Sequence, residues 1–220
     1  MLLELTSEVA KAYPETEIRL VVARGLTNAG WEPGTPDGLV PYDETTPQIA
    51  SWHAAYRSFG TNPRRVRPSV DALSRRLAKS GRLPRINPAV DAYNLVSVRH
   101  GVPAGAFDLD RVPGDVLVRY AADGDEFVPL GEPDVVEHPN PGEVVYAAGS
   151  TVLTRHWNHR DADLTKVTAD SRTVVFLLER VSAGVTALPA AADDLAALLA
   201  PHADTVERAT IDASATSWAG

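Results

Sequence analysis

Six consecutive residues in the second half of the chain carry the groups best suited to chemistry. Arg155–Arg160 reads RHWNHR, which places two imidazoles, an indole, an amide and two guanidinium groups in one segment after a predicted strand. Such groups can stack on a nucleobase, hold a carboxyl or phosphoryl oxygen, or position a water molecule. The alternative is a surface turn in which Trp157 folds into the core.

Two smaller polar patterns lie on and after a predicted helix. Asp91 and Asn94 are three residues apart and share one helix face, where they could receive a substrate amine and a polar group. Alternatively, Asp91 compensates the helix dipole and Asn94 forms a buried amide hydrogen bond. Asp108 and Asp110 share a face of an extended segment and could bind a cation. Such residues more commonly accept hydrogen bonds from their own turn.

The remaining motifs exclude several chemistries. The sequence contains no Gly-rich phosphate loop, no Gly-x-Ser-x-Gly segment and no His-Glu-x-x-His segment. His156 and His159 could form half of a metal site with Asp161 and Asp163 within reach, but no third ligand group follows at helical or hairpin spacing. The absence of cysteine excludes disulfides and thiolate metal sites. We therefore expect neither a metal nor another cofactor.

Positive charge is concentrated in one part of an acidic chain. The net charge is −8, yet the segment from Arg57 to Arg85 holds nine basic residues and one acid, Asp71. That segment carries a net charge of +8, and the rest of the chain carries −16. Such asymmetry can attract a polyanion while the remainder opposes non-specific binding. The alternative is a solvated helix face with no partner.

Length and composition are those of a globular protein that needs no membrane. The chain has 220 residues, 44% of them hydrophobic. A chain of this length buries enough surface to fold without disulfides or metals. The N-terminal residues lack a basic leader, and the apolar runs are far shorter than the roughly 20 residues that span a bilayer. We expect a cytoplasmic protein with no membrane partner.

Hydrophobic periodicity predicts helices in residues 44–101 and strands mainly in residues 114–181. This segregation favours an α+β fold in which mixed or antiparallel sheets are layered with helices on one side, a β/β/α-type sandwich. A single domain is expected over 1–203, with a long loop at 27–42 and a loosely packed tail at 204–220. The predicted helices are 44–59, 70–80, 88–100 and 189–199, and the predicted strands are 17–26, 115–121, 126–130, 143–147, 151–155 and 173–181.

One stretch resembles a known family in both order and spacing. Asn87-Pro88-Ala89-Val90-Asp91 and Asn94, followed by Pro103–Asp110 (PAGAFDLD), are similar to the pattern D-P-x-V-D-x-x-N and Q-P-x-H-A-F-D-L-D of the phenylalanyl-tRNA synthetase beta subunit. Asp123–Leu130 is similar to a later segment of that family. The resemblance extends over roughly Leu20 to Arg180 and corresponds to the fused third and fourth domains of the subunit.

The resemblance implies a function in tRNA editing. In the synthetase this module hydrolyses the ester that joins a wrong amino acid to the tRNA 3′ end, in a pocket between its two halves. This chain has Gly105 where the family has His, and Arg155–Arg160 stand near the family's Gly-Gly-Glu turn without the Glu. The differences imply either a pocket for another amino acid or a loss of hydrolysis.

From the residues and the resemblance together, we expect a trans-editing aminoacyl-tRNA deacylase. Its partners would be the aminoacylated 3′ end of tRNA and, as a second candidate, an aminoacyl-tRNA synthetase, but not DNA. The residues expected to position water or the terminal ribose are His156, Asn158 and His159. Those expected to bind substrate are Asp91, Asn94, Gly105, Trp157, Arg160 and Lys166. Those expected to hold tRNA phosphates are Arg64, Arg65, Arg67, Arg75 and Arg76.

Two other functions remain open from the sequence. A non-catalytic tRNA-binding or synthetase-associated module would bind tRNA in a salt-sensitive way without hydrolysing esters. A hydrolase or sensor for a small amino-acid derivative would not need the arginine cluster at all.

Overall fold

The computed structural model describes the whole chain, residues 1–220. It contains ten strands and five α-helices. The strands are β1 (Leu2–Leu5), β2 (Glu17–Arg24), β3 (Ala104–Asp108), β4 (Val116–Tyr120), β5 (Val144–Ala148), β6 (Thr151–Arg155), β7 (Arg160–Asp161), β8 (Thr173–Arg180), β9 (Thr205–Asp212) and β10 (Ser217–Ala219). The helices are α1 (Ser7–Ala12), α2 (Pro47–Ser58), α3 (Ser69–Ser80), α4 (Pro88–His100) and α5 (Leu188–Leu199).

The strands form two sheets. The first has six strands in the order β10-β1-β4-β5-β6-β7, and the second has four in the order β3-β8-β2-β9. The first sheet is mixed, because β1 runs parallel to β4 while its other pairings are antiparallel. The second sheet is antiparallel throughout.

The two central strands of the second sheet are buried on both faces. In β8, Val175 and Leu177 join the core between the sheets, whereas Val174, Phe176 and Leu178 join a second core under the helices. Strand β2 alternates in the same way. Side chains of a strand point alternately to its two faces, so a continuous apolar run fits a strand that is covered on both sides.

Helices α4 and α5 cover the outer face of the four-stranded sheet. Their apolar residues share the second core with β2 and β8. Helix α2 instead contributes Trp52 and Tyr56 to the core between the sheets. The layers are therefore sheet, sheet and helix, which confirms the predicted α+β fold. No helix is both long and apolar enough to cross a membrane.

Local signals set the ends of the two helices beside the basic segment. The Asn87 side chain accepts a hydrogen bond from Val90 N and caps α4, and Pro88 occupies its first turn. Both are favoured at these positions because the first backbone N–H groups of a helix lack intrahelical partners. Helices α3 and α4 end at Gly81 and Gly101, whose φ angles of 65° and 69° disfavour other residues.

Two sequence predictions are wrong. Residues 204–220 are not a loosely packed tail, because β9 pairs with β2 along its full length and β10 pairs with β1. Both strands lie at sheet edges and contain many polar residues, so hydrophobicity alone does not reveal them. Their backbone N–H and C=O groups pair with strands that are distant in the sequence. Residues 126–130 form isolated bridges rather than a strand, because their partners are loop residues such as Glu137 and Ala162.

The contribution of β9 can be measured with one substitution. Ile211 is fully buried in the core between the sheets. We expect Ile211→Ala to lower the free energy of unfolding by about 2–5 kcal/mol, the usual cost of removing a buried aliphatic side chain. Ile86→Ala is the matched control, because Ile86 is exposed. Equal stability of both variants in urea denaturation would contradict the packing of β9 into the core.

Candidate functional site

A pocket of about 240 Å³ opens where the two sheets meet α3 and α4. Its walls come from the start of α3, the middle of α4, strand β3, the inner face of β8 and the turn after β6. Apolar side chains form about half of its lining. The volume lies below the roughly 300–1,000 Å³ of sites for drug-sized ligands. The pocket therefore suits a small molecule or one end of a larger one.

The turn between β6 and β7 forms one wall in a strained conformation. His156 and Trp157 have φ angles of +48° and +70°, a region that non-glycine residues seldom adopt. Trp157 is fully buried, and its backbone N–H donates to the Val144 oxygen at 2.6 Å. The alternative interpretation of Trp157 as a core residue is therefore correct, although its ring also reaches the pocket wall. Strain of this kind persists only where the surrounding structure enforces it.

The buried carboxyl of Glu179 ties this turn to both sheets. Glu179, on β8, accepts hydrogen bonds from the Tyr146 hydroxyl, from Trp157 Nε1 at 3.1 Å and from Asn158 Nδ2 at 2.9 Å. No cationic side chain is paired with it. Burial raises the pKa of Glu179 to about 7, although the three donors lower it. The Glu179 carboxyl therefore gains or loses its proton near neutral pH.

Asn158 lines the pocket and is held by a hydrogen bond at each end of its side-chain amide. Its Oδ1 accepts from the Tyr56 hydroxyl at 2.8 Å, and its Nδ2 donates to Glu179. Its backbone oxygen accepts from Ser69 N at 3.1 Å, which attaches the turn to the start of α3. Asn158 lines the pocket, but both ends of its side-chain amide are already bonded. Its geometry is that of a group that positions its neighbours.

His159 presents an unoccupied ring nitrogen. Its Nδ1 lies 2.7 Å from the Arg67 backbone oxygen. A carbonyl oxygen can only accept, so Nδ1 carries the proton and Nε2 keeps a lone pair in the neutral ring. Burial, followed by the nearby arginines Arg160 and Arg155, lowers the pKa of His159, and only the Arg67 oxygen and Glu143 oppose this. A neutral imidazole of this tautomer can accept a proton from a water molecule in the pocket.

Further polar groups of the pocket lack protein partners. Asp161 Oδ1 accepts from Thr154 Oγ1 at 2.8 Å, but its Oδ2 accepts no hydrogen bond from the protein. Burial raises the pKa of Asp161 to about 6. The Ser69 hydroxyl is also unbonded, and the buried Asn94 amide makes no hydrogen bond. Gly105 adds space, because a Cβ there would meet no atom within 4 Å.

The structure thus brings five of the nine residues predicted to react with or bind substrate to one pocket. They are Asn94, Gly105, Trp157, Asn158 and His159.

The other four lie elsewhere, and their predicted placement is wrong. His156 is buried against Thr61, and burial lowers its pKa to about 4. Arg160 pairs with Glu132 and Glu137, and Lys166 pairs with Asp163. Asp91 accepts from Ile86 N and lies 3.7 Å from Arg85. These side chains are drawn away by ion pairs and hydrogen bonds, which residue spacing alone does not reveal. No group of three or more His, Asp or Glu side chains is placed to hold a metal ion.

Of the two roles considered for Asp108 and Asp110, a cation site or hydrogen bonds within their own turn, the structure shows the second for Asp108. Its Oδ1 accepts from Asp110 N, and its Oδ2 accepts from Ser171 Oγ, so this carboxylate holds its own turn.

The basic segment, residues 57–85, divides into arginines that hold a buried acid and arginines that face solvent. Asp71 is fully buried and contacts Arg67 at 3.1 Å, Arg75 at 2.8 Å and His53 at 3.0 Å. Burial works against ionisation of Asp71, but hydrogen bonds from these three groups lower its pKa overall. Arg67 and Arg75 therefore have a structural task that the sequence did not predict. The exposed members of the predicted phosphate-binding set are Arg64, Arg65, Arg75 and Arg76, and of these Arg75 also holds Asp71.

Sequence reasoning missed the two pocket carboxyls. Glu179 has the same parity in β8 as Val175 and Leu177, so the alternation of that strand points it toward the core between the sheets. An acid at an inward position of an apolar strand was the available signal. Asp161 follows the RHWNHR segment directly, but only the pairing of β7 with β6 turns it toward the pocket.

Comparison with known proteins identifies one family. The model of the family described as B3/4 domain matches residues 51–195. The phenylalanine–tRNA ligase beta subunit of Bordetella pertussis is 30% identical over 160 residues, which is 72% of this chain and 19% of that protein. The same subunit of Gloeobacter violaceus is 36% identical over 115 residues, 50% of this chain and 14% of that one. The chain thus spans less than a fifth of these relatives.

A solved structure is also similar. An N-terminal fragment of the phenylalanyl-tRNA synthetase beta subunit from Pyrococcus horikoshii has a TM-score of 0.48 at 14% identity. The match covers 94% of this chain and 49% of the fragment.

The unusual pKa of Glu179 predicts a pH-dependent stability difference. The folded-state pKa of about 7 exceeds the ordinary value of 4.5, so the folded protein holds a proton that the unfolded chain releases between these pH values. Stability from this group is therefore lost as the pH rises from about 4.5 to 7. Glu179→Gln does not titrate. Its free energy of unfolding should rise relative to the unmodified protein by up to about 1.4 kcal/mol per pH unit in that window.

Urea denaturation at pH 5, 6 and 7 measures this difference. The control is Glu207→Gln, because Glu207 is exposed on β9 and lies outside the pocket. A flat profile for Glu179→Gln would show that the buried carboxyl is ionised throughout.

Proposed function

This chain belongs to the B3/4 domain family, and from that premise we propose that it acts in trans as a deacylase of mischarged aminoacyl-tRNA. The observation that carries the proposal is the attachment of the pocket to the basic segment. The His159 ring is bonded to the Arg67 backbone, and α3 supplies both a wall of the pocket and exposed arginines. A polyanion held on the arginines would have its end within reach of the pocket.

The pocket suits one aminoacyl group and not a whole nucleotide chain. Its volume is about 240 Å³, and half of its lining is apolar. An aminoacyl ester is already activated, because its leaving group is a ribose oxygen with a hydroxyl beside it. The protein therefore needs to orient the ester and a water rather than to supply a nucleophile. Positioning can contribute several kcal/mol, and a single donor to the oxyanion about 3 kcal/mol.

We assign the proton transfer to His159. Its Nε2 would accept a proton from a water whose oxygen attacks the ester carbonyl carbon. The resulting tetrahedral intermediate expels the ribose oxygen, which takes the proton back from the imidazolium, and the amino acid leaves as its carboxylic acid, which then releases its proton to solvent. Asn94 is the side-chain donor available to the carbonyl oxygen, and Asn158 and Trp157 hold the turn in place through Glu179.

The tRNA would be held by charge. Arg64, Arg65 and Arg76 are exposed, as are Arg57, Lys79 and Arg82 of the same segment. Arginine is suited to this task because its planar group donates two parallel hydrogen bonds to phosphate. Arg67 and Arg75 support the surface indirectly by holding Asp71.

One observation favours a second candidate function, a tRNA-binding or synthetase-associated module without catalysis. The Asn158 amide is engaged at both ends, and His156 is turned away from the pocket. Of the three residues predicted to be catalytic, His156 is therefore outside the pocket, and Asn158 is held in place by its two hydrogen bonds. A protein with this second function would still bind tRNA through its arginines, but it would not cleave the ester.

His159→Gln separates the two candidates. Gln can keep a polar contact with the Arg67 oxygen but cannot accept a proton from water near neutral pH. We expect the rate constant for hydrolysis of the preferred mischarged tRNA to fall by about 10²–10⁴, the usual contribution of a general base, while tRNA affinity stays unchanged.

The matched control is His138→Gln. His138 Nδ1 also contacts a backbone oxygen, that of Asp125, but the residue lies outside the pocket. The assay measures release of amino acid from a panel of mischarged tRNAs. If no tRNA of the panel is hydrolysed faster than in buffer, the deacylase proposal fails and the binding module remains.

A charge-removal variant tests the docking surface. The triple variant Arg64→Ala, Arg65→Ala, Arg76→Ala should bind tRNA more weakly. The dependence of log affinity on log salt should become less steep by about 0.7–0.9 for each phosphate that the variant no longer neutralises. Arg208→Ala is the control, because Arg208 is exposed on β9 outside the basic segment. Filter-binding at several salt concentrations measures both, and an unchanged slope in the triple variant would place the tRNA elsewhere.

A further inference from the structure

A long segment without helix or strand lies against the basic segment and carries the opposite charge. Residues 32–44, here called the acidic strap, hold four acidic residues and no basic one, whereas residues 57–85 carry a net charge of +8. The strap is part of the connection between β2 and α2. The two opposite charges lie side by side in the folded protein, because strap residues pair with arginines of the basic segment.

The strap contacts three of these arginines through exposed ion pairs. Glu32 lies 2.9 Å from Arg85, and Glu44 lies 3.9 Å from both Arg64 and Arg75. Each of the five side chains is at least 45% exposed. Ion pairs so open to water are weak. Phosphate oxygens can therefore replace the strap carboxylates on the same guanidinium groups.

Few other contacts hold the middle of the strap. Between residues 32 and 41 the only backbone hydrogen bond is internal to the strap, and only Pro33 is buried. The firm attachments lie at its two ends. Asn28, just before the strap, makes three side-chain hydrogen bonds, and the Tyr42 hydroxyl donates to the last turn of α4 at 3.3 Å. A segment with few hydrogen bonds and little buried surface opens at a low free-energy cost.

A cavity of about 360 Å³ lies between part of the strap and the basic segment. Residues 34–37 of the strap and residues 81–85 line it, together with two residues of α4. Opposite charges line this cavity without an ion pair, because Arg82 has no acidic partner and the Asp37 carboxylate accepts only from Thr35. The strap also contributes no residue to the two large hydrophobic cores. It can therefore move without uncovering them.

We infer that the acidic strap is an internal competitor for the phosphate-binding arginines, which a polyanion displaces when it binds. In the present arrangement, strap carboxylates take the places of phosphates at Arg64, Arg75 and Arg85. Several weak ion pairs must be replaced together, so a long polyanion displaces the strap more readily than a small anion does. The inference rests on the tRNA-binding part of the proposed function and not on ester hydrolysis.

Two matched triple variants of the full chain test the inference. The strap variant carries Glu32→Gln, Asp37→Asn and Glu44→Gln. The control variant carries Glu126→Gln, Asp134→Asn and Glu207→Gln. Both remove three exposed negative charges, but the control side chains lie outside the strap and pair with no arginine. Asp43 is left unchanged in the strap variant, because its carboxylate holds its own turn through Thr45.

Fluorescence anisotropy at low ionic strength measures binding of two labelled probes, deacylated tRNA and inorganic polyphosphate. We expect the strap variant to bind tRNA about 3- to 30-fold more tightly than the control variant does, the range for two or three exposed ion pairs that no longer compete. The difference should shrink as salt is added, because exposed charges are screened.

A double-mutant cycle tests whether the competition acts through the paired arginine. Glu32→Gln should raise the affinity for tRNA by up to about fivefold in the otherwise unmodified chain, the range for one exposed ion pair. In a chain that also carries Arg85→Ala, the same substitution should have no effect, because the guanidinium for which Glu32 competes is gone. An equal gain in both chains would show that Glu32 acts only through long-range charge, and the inference would be wrong.

The outcomes separate the inference from the proposed function. Equal or weaker binding by the strap variant than by the control with both probes, or no binding by either variant, would overturn the inference. A gain with polyphosphate alone would uphold the strap as a competitor and remove tRNA as the ligand of this surface. A gain with tRNA in a protein that hydrolyses no mischarged tRNA would uphold the inference and remove only the deacylase.

Discussion

The burial of one carboxyl, that of Glu179, constrains most of the candidate site. It lies between the two sheets, where an isolated charge or an unbonded acid would cost several kcal/mol. Three donors meet it there, one from β5 and two from the turn after β6. To reach it, Trp157 and the preceding His156 adopt left-handed backbone angles. The hydrogen bonds to Glu179 and the packing of the Trp157 ring offset the roughly 1–2 kcal/mol per residue of that conformation.

A second buried acid organises the basic segment in the same manner. Asp71 is enclosed by His53, Arg67 and Arg75, so part of the positive charge is used to compensate a charge inside the protein. Breaking such a pair leaves an uncompensated charge, which usually costs about 3–5 kcal/mol. The net charge of the segment therefore overstates the charge available to a partner. What remains on the surface is a smaller set of exposed arginines and Lys79.

Two differences from the family pattern, at Gly105 and in the turn after β6, change the shape and the lining of the pocket. Gly105 stands where the family pattern has His, and the space beside it is empty to 4 Å. The missing side chain enlarges the chamber and removes one candidate base. The turn after β6 lacks the family's Gly-Gly-Glu sequence, yet acidic groups still face the pocket from β7 and β8. The chamber thus combines more room with two carboxyls that have no cationic partner in the protein.

The sequence by itself determined four of the five helices, all but α1, and the long apolar strands β2 and β8. Caps, proline and glycine positions and apolar periodicity are local signals, and they set α3, α4, β2 and β8 within a few residues. The family pattern also indicated the position of Asn94 and Gly105 at one pocket. Only the tertiary structure decided that residues 205–212 and 217–219 complete the two sheets, because a strand is stabilised by partners far away in the chain. It alone decided which polar groups face the pocket, because ion pairs with Glu137 and Asp163 draw Arg160 and Lys166 away, while the pairing of β7 brings Asp161 in.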